Sequence, residues 1–286
     1  MTGTQGRLAA APVGVFDSGV GGLSVWRQIA AQLPDENTLY LADQAHIPYG
    51  PRSLDEIRDF SEAIASFLME QGAKAIVVAC NTASGAALQS LRRRFPSLPF
   101  IGMEPAVKPA VEHTATGAVG VIATPTTFQG ELFQRLASRF GRDVAIHTQT
   151  CPGLVEAVER GELATNQTQQ LLADCLGPLM AENIDELVLG CTHYPFLTPV
   201  IRDLVGPSVE IIDPAPAVAR QVRRVLADAG LLNATSSPPR HTFYTTGETI
   251  KLSGAIQTLL DLKAHTEQLF WSNGAVRIGD RSSRAR

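Results

Sequence analysis

Two cysteines of the chain stand where a thiol could act as an acid or a base. Cys80 and Cys191 each follow a short apolar segment, at residues 75–79 and 186–189, and small polar residues that suit a small polar ligand come next. A thiol acts as a base at neutral pH only when its pKa is lowered or a neighbouring base takes its proton. Two such thiols facing one ligand could invert a stereocentre, because one removes a proton from carbon while the other delivers one to the opposite face.

A carboxylate and an imidazole are the candidates for activating these thiols. Asp17 follows the apolar segment 13–16, and His193 stands two residues after Cys191. We expect Asp17 to lie beside Cys80 and His193 beside Cys191. Because the α-hydrogen of an amino acid is very weakly acidic, the carbanion would also need preorganised donors around the substrate carboxylate.

The glycine-rich segment Asp17-Ser18-Gly19-Val20-Gly21-Gly22 joins an apolar run to a helical pattern. It makes a poor dinucleotide loop, since Ser24 stands where the third glycine of GxGxxG belongs and an aspartate at its start would repel a pyrophosphate. A tight strand-to-helix turn explains it better. Such a turn aims Asp17 and Ser18 at a ligand and lets the following amides face an anion.

The cysteine pattern argues against metal and disulfide frameworks. Cys191-Thr192-His193 could supply two zinc ligands, but no second pair with metal-site spacing accompanies it. Cys151 is expected in a loop that closes a strand, and Cys175 in the apolar face of a helix. None of the four cysteines belongs to a CxxC pair, which disfavours a disulfide scaffold and favours a reducing cytoplasm.

The elements that must position these groups alternate along the chain. Apolar runs predict strands at residues 13–16, 75–79, 118–123, 144–148, 186–189, 209–212 and 241–244. Helical patterns lie across residues 23–33, 54–72, 88–95, 128–140, 169–182 and 218–229, and a capping box at residues 53–56 opens the second of them. Apolar strands flanked by helices indicate parallel α/β sheets. Ligands bind beyond the carboxyl ends of such strands, where both cysteines are expected.

An imperfect internal repeat predicts that the fold has two similar halves. Residues 13–18 resemble residues 119–124, and residues 77–82 resemble residues 187–192, in the same order and at nearly the same offset. Each half would then present one cysteine at a strand end. We expect the two halves to face each other across a shared cleft.

The composition excludes several functional classes. The 286 residues, with about 150 per domain as a guide, suggest two domains. With 44% hydrophobic and 18% charged residues, disorder and coiled coil are excluded, and a net charge of −4 does not suit a nucleic-acid binder. No apolar run approaches the roughly 20 residues of a membrane span. The basic segment 277–286 is expected to be a solvated terminus.

Several phrases of the chain, taken together, resemble the bacterial glutamate racemases of the aspartate/glutamate racemase family. The resemblance runs from Val13 to about Gly247 and rests on Gly14-Val15-Phe16-Asp17-Ser18-Gly19-Val20-Gly21-Gly22, Ile47-Pro48-Tyr49-Gly50, Ala79-Cys80-Asn81-Thr82-Ala83, Glu104-Pro105, Leu189-Gly190-Cys191-Thr192-His193-Tyr194-Pro195 and Phe243-Tyr244-Thr245-Thr246-Gly247. It implies cofactor-independent, metal-free interconversion of L- and D-glutamate that supplies D-glutamate for peptidoglycan. It also implies a cytoplasmic enzyme without nucleic-acid or membrane partners, and it leaves a homodimer open.

The resemblance also implies roles for individual residues. Cys80 and Cys191 would be the acid/base pair, acting on D-glutamate and L-glutamate respectively, with Asp17 and His193 assisting them. The substrate-binding positions would be Asp17, Ser18, Pro48, Tyr49, Gly50, Asn81, Thr82, Thr124, Thr127, Glu159, Thr192 and His193. The implied fold has two α/β domains related by a pseudo-two-fold axis, with the active site between them. Residues 105–213 would form the second domain, inserted in a first domain of residues 1–104 and 214–286.

Three other functions remain open at this point. A related racemase or isomerase could act on aspartate, a hydantoin or a maleate-like diacid. A non-catalytic binding protein could use the same cleft, although two strand-end thiols are unnecessary for binding alone. A redox thiol protein is disfavoured by the lack of a CxxC pair.

Overall fold

The protein is described by a computed structural model that covers residues 3–141, 144–235 and 237–279. The strands are β1 (Val13–Asp17), β2 (Thr38–Ala42), β3 (Ala75–Val78), β4 (Phe100–Gly102), β5 (Ala118–Ala123), β6 (Ala145–Thr150), β7 (Glu186–Gly190), β8 (Glu210–Ile212), β9 (His241–Thr245), β10 (Thr266–Ser272) and β11 (Ala275–Ile278). Most of the predicted basic terminus, at residues 280–286, lies outside the described residues, as does residue 236 in the segment before β9.

Helices separate most of these strands. They are α1 (Gly3–Ala9), α2 (Leu23–Gln32), α3 (Leu54–Glu70), α4 (Asn81–Arg94), α5 (Val107–His113), α6 (Pro125–Gln129), α7 (Glu131–Phe140), α8 (Leu154–Glu159), α9 (Asn166–Ala181), α10 (Thr198–Val205), α11 (Ala215–Asp228) and α12 (Thr249–Leu260). The predicted capping box opens α3, because Ser53 Oγ accepts from the Glu56 amide and Glu56 Oε2 accepts from the Ser53 amide. No helix among the described residues is both long and apolar enough to cross a bilayer.

The described strands form two sheets. The order is β11-β10-β9-β2-β1-β3-β4 in the large sheet and β6-β5-β7-β8 in the small one. Every strand pair is parallel except β10 with β11, which form an antiparallel hairpin at one edge. We call the seven-stranded sheet with its helices the large unit, and the four-stranded sheet with its helices the small unit. The strands of the small unit fall within the predicted inserted segment 105–213, whose boundaries stay a prediction.

The two sheets share one strand order, which is the structural counterpart of the sequence repeat. In the large sheet β1 lies between β2 and β3, with β4 beyond β3. In the small sheet β5 lies between β6 and β7, with β8 beyond β7. The paired repeat segments fall on β1 with β5 and on β3 with β7. The residues that follow β3 and β7, Cys80 and Cys191, therefore occupy equivalent places.

Four strands were not predicted from the sequence. β2 is a buried run flanked by polar residues, β4 has only three residues, and β10 with β11 carry mixed polar and apolar side chains on an edge. Helices cover both faces of the large sheet. On β1, Val15 packs in the core with α2, while the adjacent Phe16 packs in the core with α3.

A buried ion pair ties the start of β3 to the segment before β2. Lys74 Nζ lies 2.5 Å from Glu36 Oε2, both side chains are at most 2% exposed, and the other Glu36 oxygen accepts from the Asn233 amide at 2.8 Å. We expect Lys74→Met to lower the free energy of unfolding by about 3–5 kcal/mol, because the Glu36 carboxylate is left buried and uncompensated. Urea unfolding measures this loss. The matched change Lys108→Met, in an exposed pair, should cost under about 1 kcal/mol; equal losses would contradict the prediction.

Candidate active site

The two thiols lie at the carboxyl ends of β3 and β7. Cys80 occupies the N-cap position of α4, where its Sγ accepts from the Ala83 amide at 3.5 Å. Cys191 follows β7 and precedes a single 3₁₀ turn, Tyr194–Leu197. Both cysteines are free and buried. The turns that follow these strands thus hold the two sulfurs at the carboxyl ends of the two sheets, and the positive end of α4 favours negative charge on Cys80.

A cleft of about 610 Å³ lies between the two thiols. Its lining contains these predicted site residues: Ser18, Pro48, Tyr49, Gly50, Cys80, Asn81, Thr82, Thr124, Cys191, Thr192 and His193. Three predicted residues, Asp17, Thr127 and Glu159, do not line it. They contact lining residues instead, as the hydrogen bonds below show.

On the Cys191 side, an imidazole links the thiol to a carboxylate. His193 Nδ1 lies 3.7 Å from Cys191 Sγ, and Nε2 lies 2.8 Å from Glu159 Oε1. Burial lowers the pKa of His193, but its hydrogen bonds to Cys191 and Glu159 outweigh burial and raise the pKa well above the ordinary value. The imidazole is therefore charged at neutral pH. The Cys191 sulfur thus has a positively charged hydrogen-bond partner at 3.7 Å.

Glu159 supplies the charge that holds the imidazole protonated. Burial raises the pKa of Glu159, but the hydrogen bond and the positive charge of His193 outweigh burial, so the pKa lies below its ordinary value. The side chain of Glu159 is 14% exposed and that of His193 only 2%. The pair is thus an ion pair shielded from water.

The Cys80 side has the opposite electrostatics. Burial first, and then the nearby charge of Asp17, raise the pKa of the Cys80 thiol well above its ordinary value. Asp17 is fully buried, accepts from the amides of Ser18 and Gly22, and has a raised pKa because burial outweighs the charge of His193. Cys80 is therefore a protonated thiol at neutral pH. The two sulfurs thus have different electrostatic surroundings.

A cluster of hydroxyls joins the two units beside the thiols. The Oγ1 atoms of Thr82 and Thr124 lie 2.9 Å apart, those of Thr124 and Thr127 lie 2.9 Å apart, and those of Thr82 and Thr127 lie 3.2 Å apart. Next to Thr82 in the chain, the side-chain oxygen and nitrogen of Asn81 are buried and have no hydrogen-bond partner among the residues that the structure describes. Unpaired buried polar atoms are costly, so a ligand that pairs with them binds favourably. The cluster suits a carboxylate.

The loop that carries Tyr49 lines one part of the cleft. The Tyr49 hydroxyl donates to Asp43 Oδ2 at 2.7 Å, and the side chain is nearly fully buried. Thr126 of the small unit donates its hydroxyl to the Gly50 carbonyl. The Tyr49 hydroxyl is thus already bonded to Asp43, and the predicted part of Tyr49 in ligand binding stays a prediction. The loop follows the cis peptide Ile47–Pro48.

The glycine-rich turn lets side chains of the small unit approach the large unit closely. A Cβ atom at Gly19 would overlap Glu159 Oε1, and one at Gly21 would overlap His193 Nδ1 and lie 2.7 Å from Thr192 Oγ1. The glycines are thus explained by the space that this carboxylate and this imidazole need, rather than by phosphate binding.

Gly21→Ala is expected to lower kcat at least tenfold, because the new methyl group displaces the imidazole from Cys191. Steady-state kinetics on the candidate substrate, with unfolding followed by circular dichroism, measures this. The matched change Gly177→Ala, in α9 with open space at the Cβ position, should leave kcat unchanged and stabilise the helix by up to about 1 kcal/mol. Equal kcat for both variants would show that Gly21 does not position His193.

The sequence analysis did not identify several residues that hydrogen-bond to the predicted site residues. Gln44 donates to Glu159 Oε2 at 3.0 Å, Asp43 holds Tyr49, and Ser24 donates to the Thr192 carbonyl at 2.9 Å. Asp43 and Gln44 directly follow β2. Recognising β2 as a strand would have pointed to both by the strand-end rule that located Cys80.

The remaining cysteines form a pair that the sequence analysis did not anticipate. Cys151 follows β6 and Cys175 lies buried on α9, as predicted, but a disulfide joins them with Cα atoms 5.3 Å apart. Their separation of 24 residues carries no pairing signal in the sequence. Among the residues that the structure describes, no group of three metal-ligating side chains converges.

Comparison with known proteins shows the same similarity in sequence and in fold. The family described as Asp/Glu/Hydantoin racemase matches residues 13–222. The glutamate racemase of Pseudomonas paraeruginosa is 52% identical over 232 residues, which cover 81% of this chain and 88% of that protein.

Two solved structures share the fold. That of a glutamate racemase isoform from Bacillus anthracis has a TM-score of 0.84 at 35% identity, covering 93% of this chain and 98% of that one. The glutamate racemase of Francisella tularensis in complex with D-glutamate has a TM-score of 0.80 at 31% identity, covering 91% and 97%. The predicted α/β fold class and family resemblance are confirmed.

Proposed function

Because the chain belongs to the Asp/Glu/hydantoin racemase family, we propose that it interconverts L-glutamate and D-glutamate with Cys80 and Cys191 as its acid/base pair. One observation supports this assignment above all. Two free thiols follow equivalent strands of two sheets and line the same cleft. The enzyme is an isomerase, and its relatives of known structure include one that holds D-glutamate.

Conversion of L-glutamate begins at Cys191. The thiolate, stabilised by the His193 imidazolium, takes the α-proton, and the C–H bond electrons stay on the α-carbon as a carbanion. The Cys80 thiol then donates its proton to the opposite face, which leaves D-glutamate, a Cys80 thiolate and a Cys191 thiol. The raised pKa of Cys80 suits this donor role, because the thiol stays protonated until the carbanion forms. Proton exchange with solvent restores the starting states.

The substrate carboxylate is held by neutral donors. We propose that it binds at Asn81, Thr82 and Thr124, which line the cleft, with the Thr127 hydroxyl behind them bonded to those of Thr82 and Thr124. These hydrogen bonds stabilise negative charge that spreads from the α-carbon into the carboxylate. The reaction then needs no organic cofactor and no metal.

Circular dichroism of an L-glutamate solution incubated with pure protein tests the proposed function. We expect the ellipticity to decay to zero without added cofactor, and at an unchanged rate with a metal chelator or with pyridoxal phosphate. L-Aspartate serves as the matched substrate with one methylene fewer. Decay with aspartate but not glutamate would contradict the substrate assignment, and no decay with either would contradict racemisation.

The proposed chemistry suits a reducing compartment. We propose that the enzyme works in the cytoplasm, because both catalytic thiols must stay reduced, and that the D-glutamate it makes supplies peptidoglycan synthesis. In that compartment Cys151 and Cys175 would exist as a dithiol. Thiol titration of protein denatured directly from cells is expected to find four free thiols, and a count of two would contradict the proposed location.

A further inference from the structure

A chain of hydrogen bonds reaches the His193 imidazole from the end of β9 in the large unit. Thr245, at the end of β9, donates its hydroxyl to Gln44 Oε1 at 2.8 Å. Gln44, which follows β2, donates Nε2 to Glu159 Oε2 at 3.0 Å. The other Glu159 oxygen lies 2.8 Å from His193 Nε2. Each link is within ordinary hydrogen-bond distance.

The order of donors and acceptors fixes the orientation of the side-chain amide of Gln44. Thr245 is fully buried, and its hydroxyl also accepts from the Gly247 amide at 2.9 Å, so its own hydrogen is free to point at Gln44. Because the Gln44 carbonyl receives that hydrogen, the amide nitrogen faces Glu159. A flipped amide would set an oxygen against the carboxylate, which is repulsive.

This chain crosses between the units. Gln44 and Thr245 belong to the large unit, whereas Glu159 ends α8 of the small unit. The Val20 amide, in the glycine-rich turn, also crosses to Glu159 at 2.6 Å. The Glu159 carboxylate thus accepts two hydrogen bonds from the large unit and holds the His193 imidazole of the small unit through a third. Gln44 itself does not line the cleft.

We propose that Gln44 is a positioning residue for the Cys191 half of the reaction, acting through Glu159 and His193. The inference rests on the proposed function. Gln44 holds the Glu159 carboxylate where it keeps the imidazole protonated and aimed at the thiol. Within the described residues no chain of hydrogen bonds runs from Gln44 to Cys80, whose sulfur accepts from the Ala83 amide, so the loss of Gln44 should slow one half-reaction only.

The test measures each half-reaction alone, in heavy water. Cys80→Ala retains only Cys191 and should exchange the α-proton of L-glutamate; Cys191→Ala retains only Cys80 and should exchange that of D-glutamate. Adding Gln44→Leu is expected to slow exchange about tenfold in the first background, which is the effect of losing one hydrogen bond to a charged group. Exchange in the second background should not change.

Two further readouts distinguish a positioning role of Gln44 from a general loss of packing around it. Without the Gln44 donor the Glu159 pKa rises, so the acid limb of the pH profile for L-glutamate exchange should move to higher pH. Thr245→Val, which frees the amide to flip, should slow the same half-reaction, and its effect should largely vanish when Gln44→Leu is already present.

The control is Gln32→Leu. Gln32 lies on α2 and bonds to the Pro216 carbonyl at 3.3 Å, remote from the thiols, so neither half-reaction should change. Equal slowing of both half-reactions by Gln44→Leu, or no slowing with L-glutamate, would overturn the inference. If neither single-cysteine parent exchanges any α-proton, the proposed function itself fails, and the two failures are therefore distinguishable.

Discussion

Replacing either Cys80 or Cys191 by alanine is expected to lower kcat for racemisation by roughly 10²–10⁴-fold, the usual contribution of a positioned acid or base. Each turnover needs one thiol on each face of the α-carbon, so losing either one blocks both directions. Because L- and D-glutamate are equally stable, kcat/KM must fall equally in the two directions. Polarimetric assays starting from each enantiomer measure the loss.

Serine variants separate chemistry from packing. Cys80→Ser keeps a side chain that can accept from the Ala83 amide at the start of α4, so the local structure is retained. A serine hydroxyl is a far weaker acid than a thiol, and we expect Cys80→Ser to be as inactive as Cys80→Ala with an unchanged unfolding temperature. Either variant keeping wild-type turnover would contradict the two-thiol assignment.

Asn81→Leu is expected to impair binding and to stabilise the fold at the same time. Both polar atoms of its side chain are buried with no partner in the described part of the chain, which costs about 1–3 kcal/mol. An apolar side chain of similar size removes that cost, so the free energy of unfolding should rise by about 1 kcal/mol. The substrate carboxylate loses a donor, and KM should rise at least tenfold.

Asn233 provides the matched control for this effect. It is also buried, but its side chain donates to the Asp35 carbonyl at 2.6 Å and accepts from the Thr235 amide at 3.1 Å. Asn233→Leu should therefore destabilise the protein and leave KM unchanged. Urea unfolding measures the change in stability, and initial-rate kinetics measures the change in KM. A loss of stability in Asn81→Leu would show that Asn81 supports the fold rather than a ligand.

The sequence was informative where function depends on strand ends. Cys80 and Cys191 could be located because each follows an apolar run, and the repeat predicted that equivalent strands carry them. The same rule would have led to Gln44, had the run at residues 38–42 been recognised as β2. Local pattern alone therefore reaches the one or two residues that follow a strand.

The remaining features depend on contacts between distant segments. Gln44 and Glu159 are separated by 115 residues, and only the packing of the two units brings them within hydrogen-bond distance. The same holds for the pairing of Cys151 with Cys175, which requires that β6 and α9 pack together. Amphipathic periodicity predicts which face of an element is buried, but not which side chain of another element it meets.

Early racemisation of L-glutamate in heavy water tests the central claim of two separate thiols most directly. With a separate base and acid, the first D-glutamate formed should carry deuterium at the α-carbon, because its proton comes from the Cys80 thiol, which exchanges with solvent. L-Glutamate recovered at the same time should still carry protium. D-Glutamate that retains the original α-protium would show one group acting on both faces and would contradict the account.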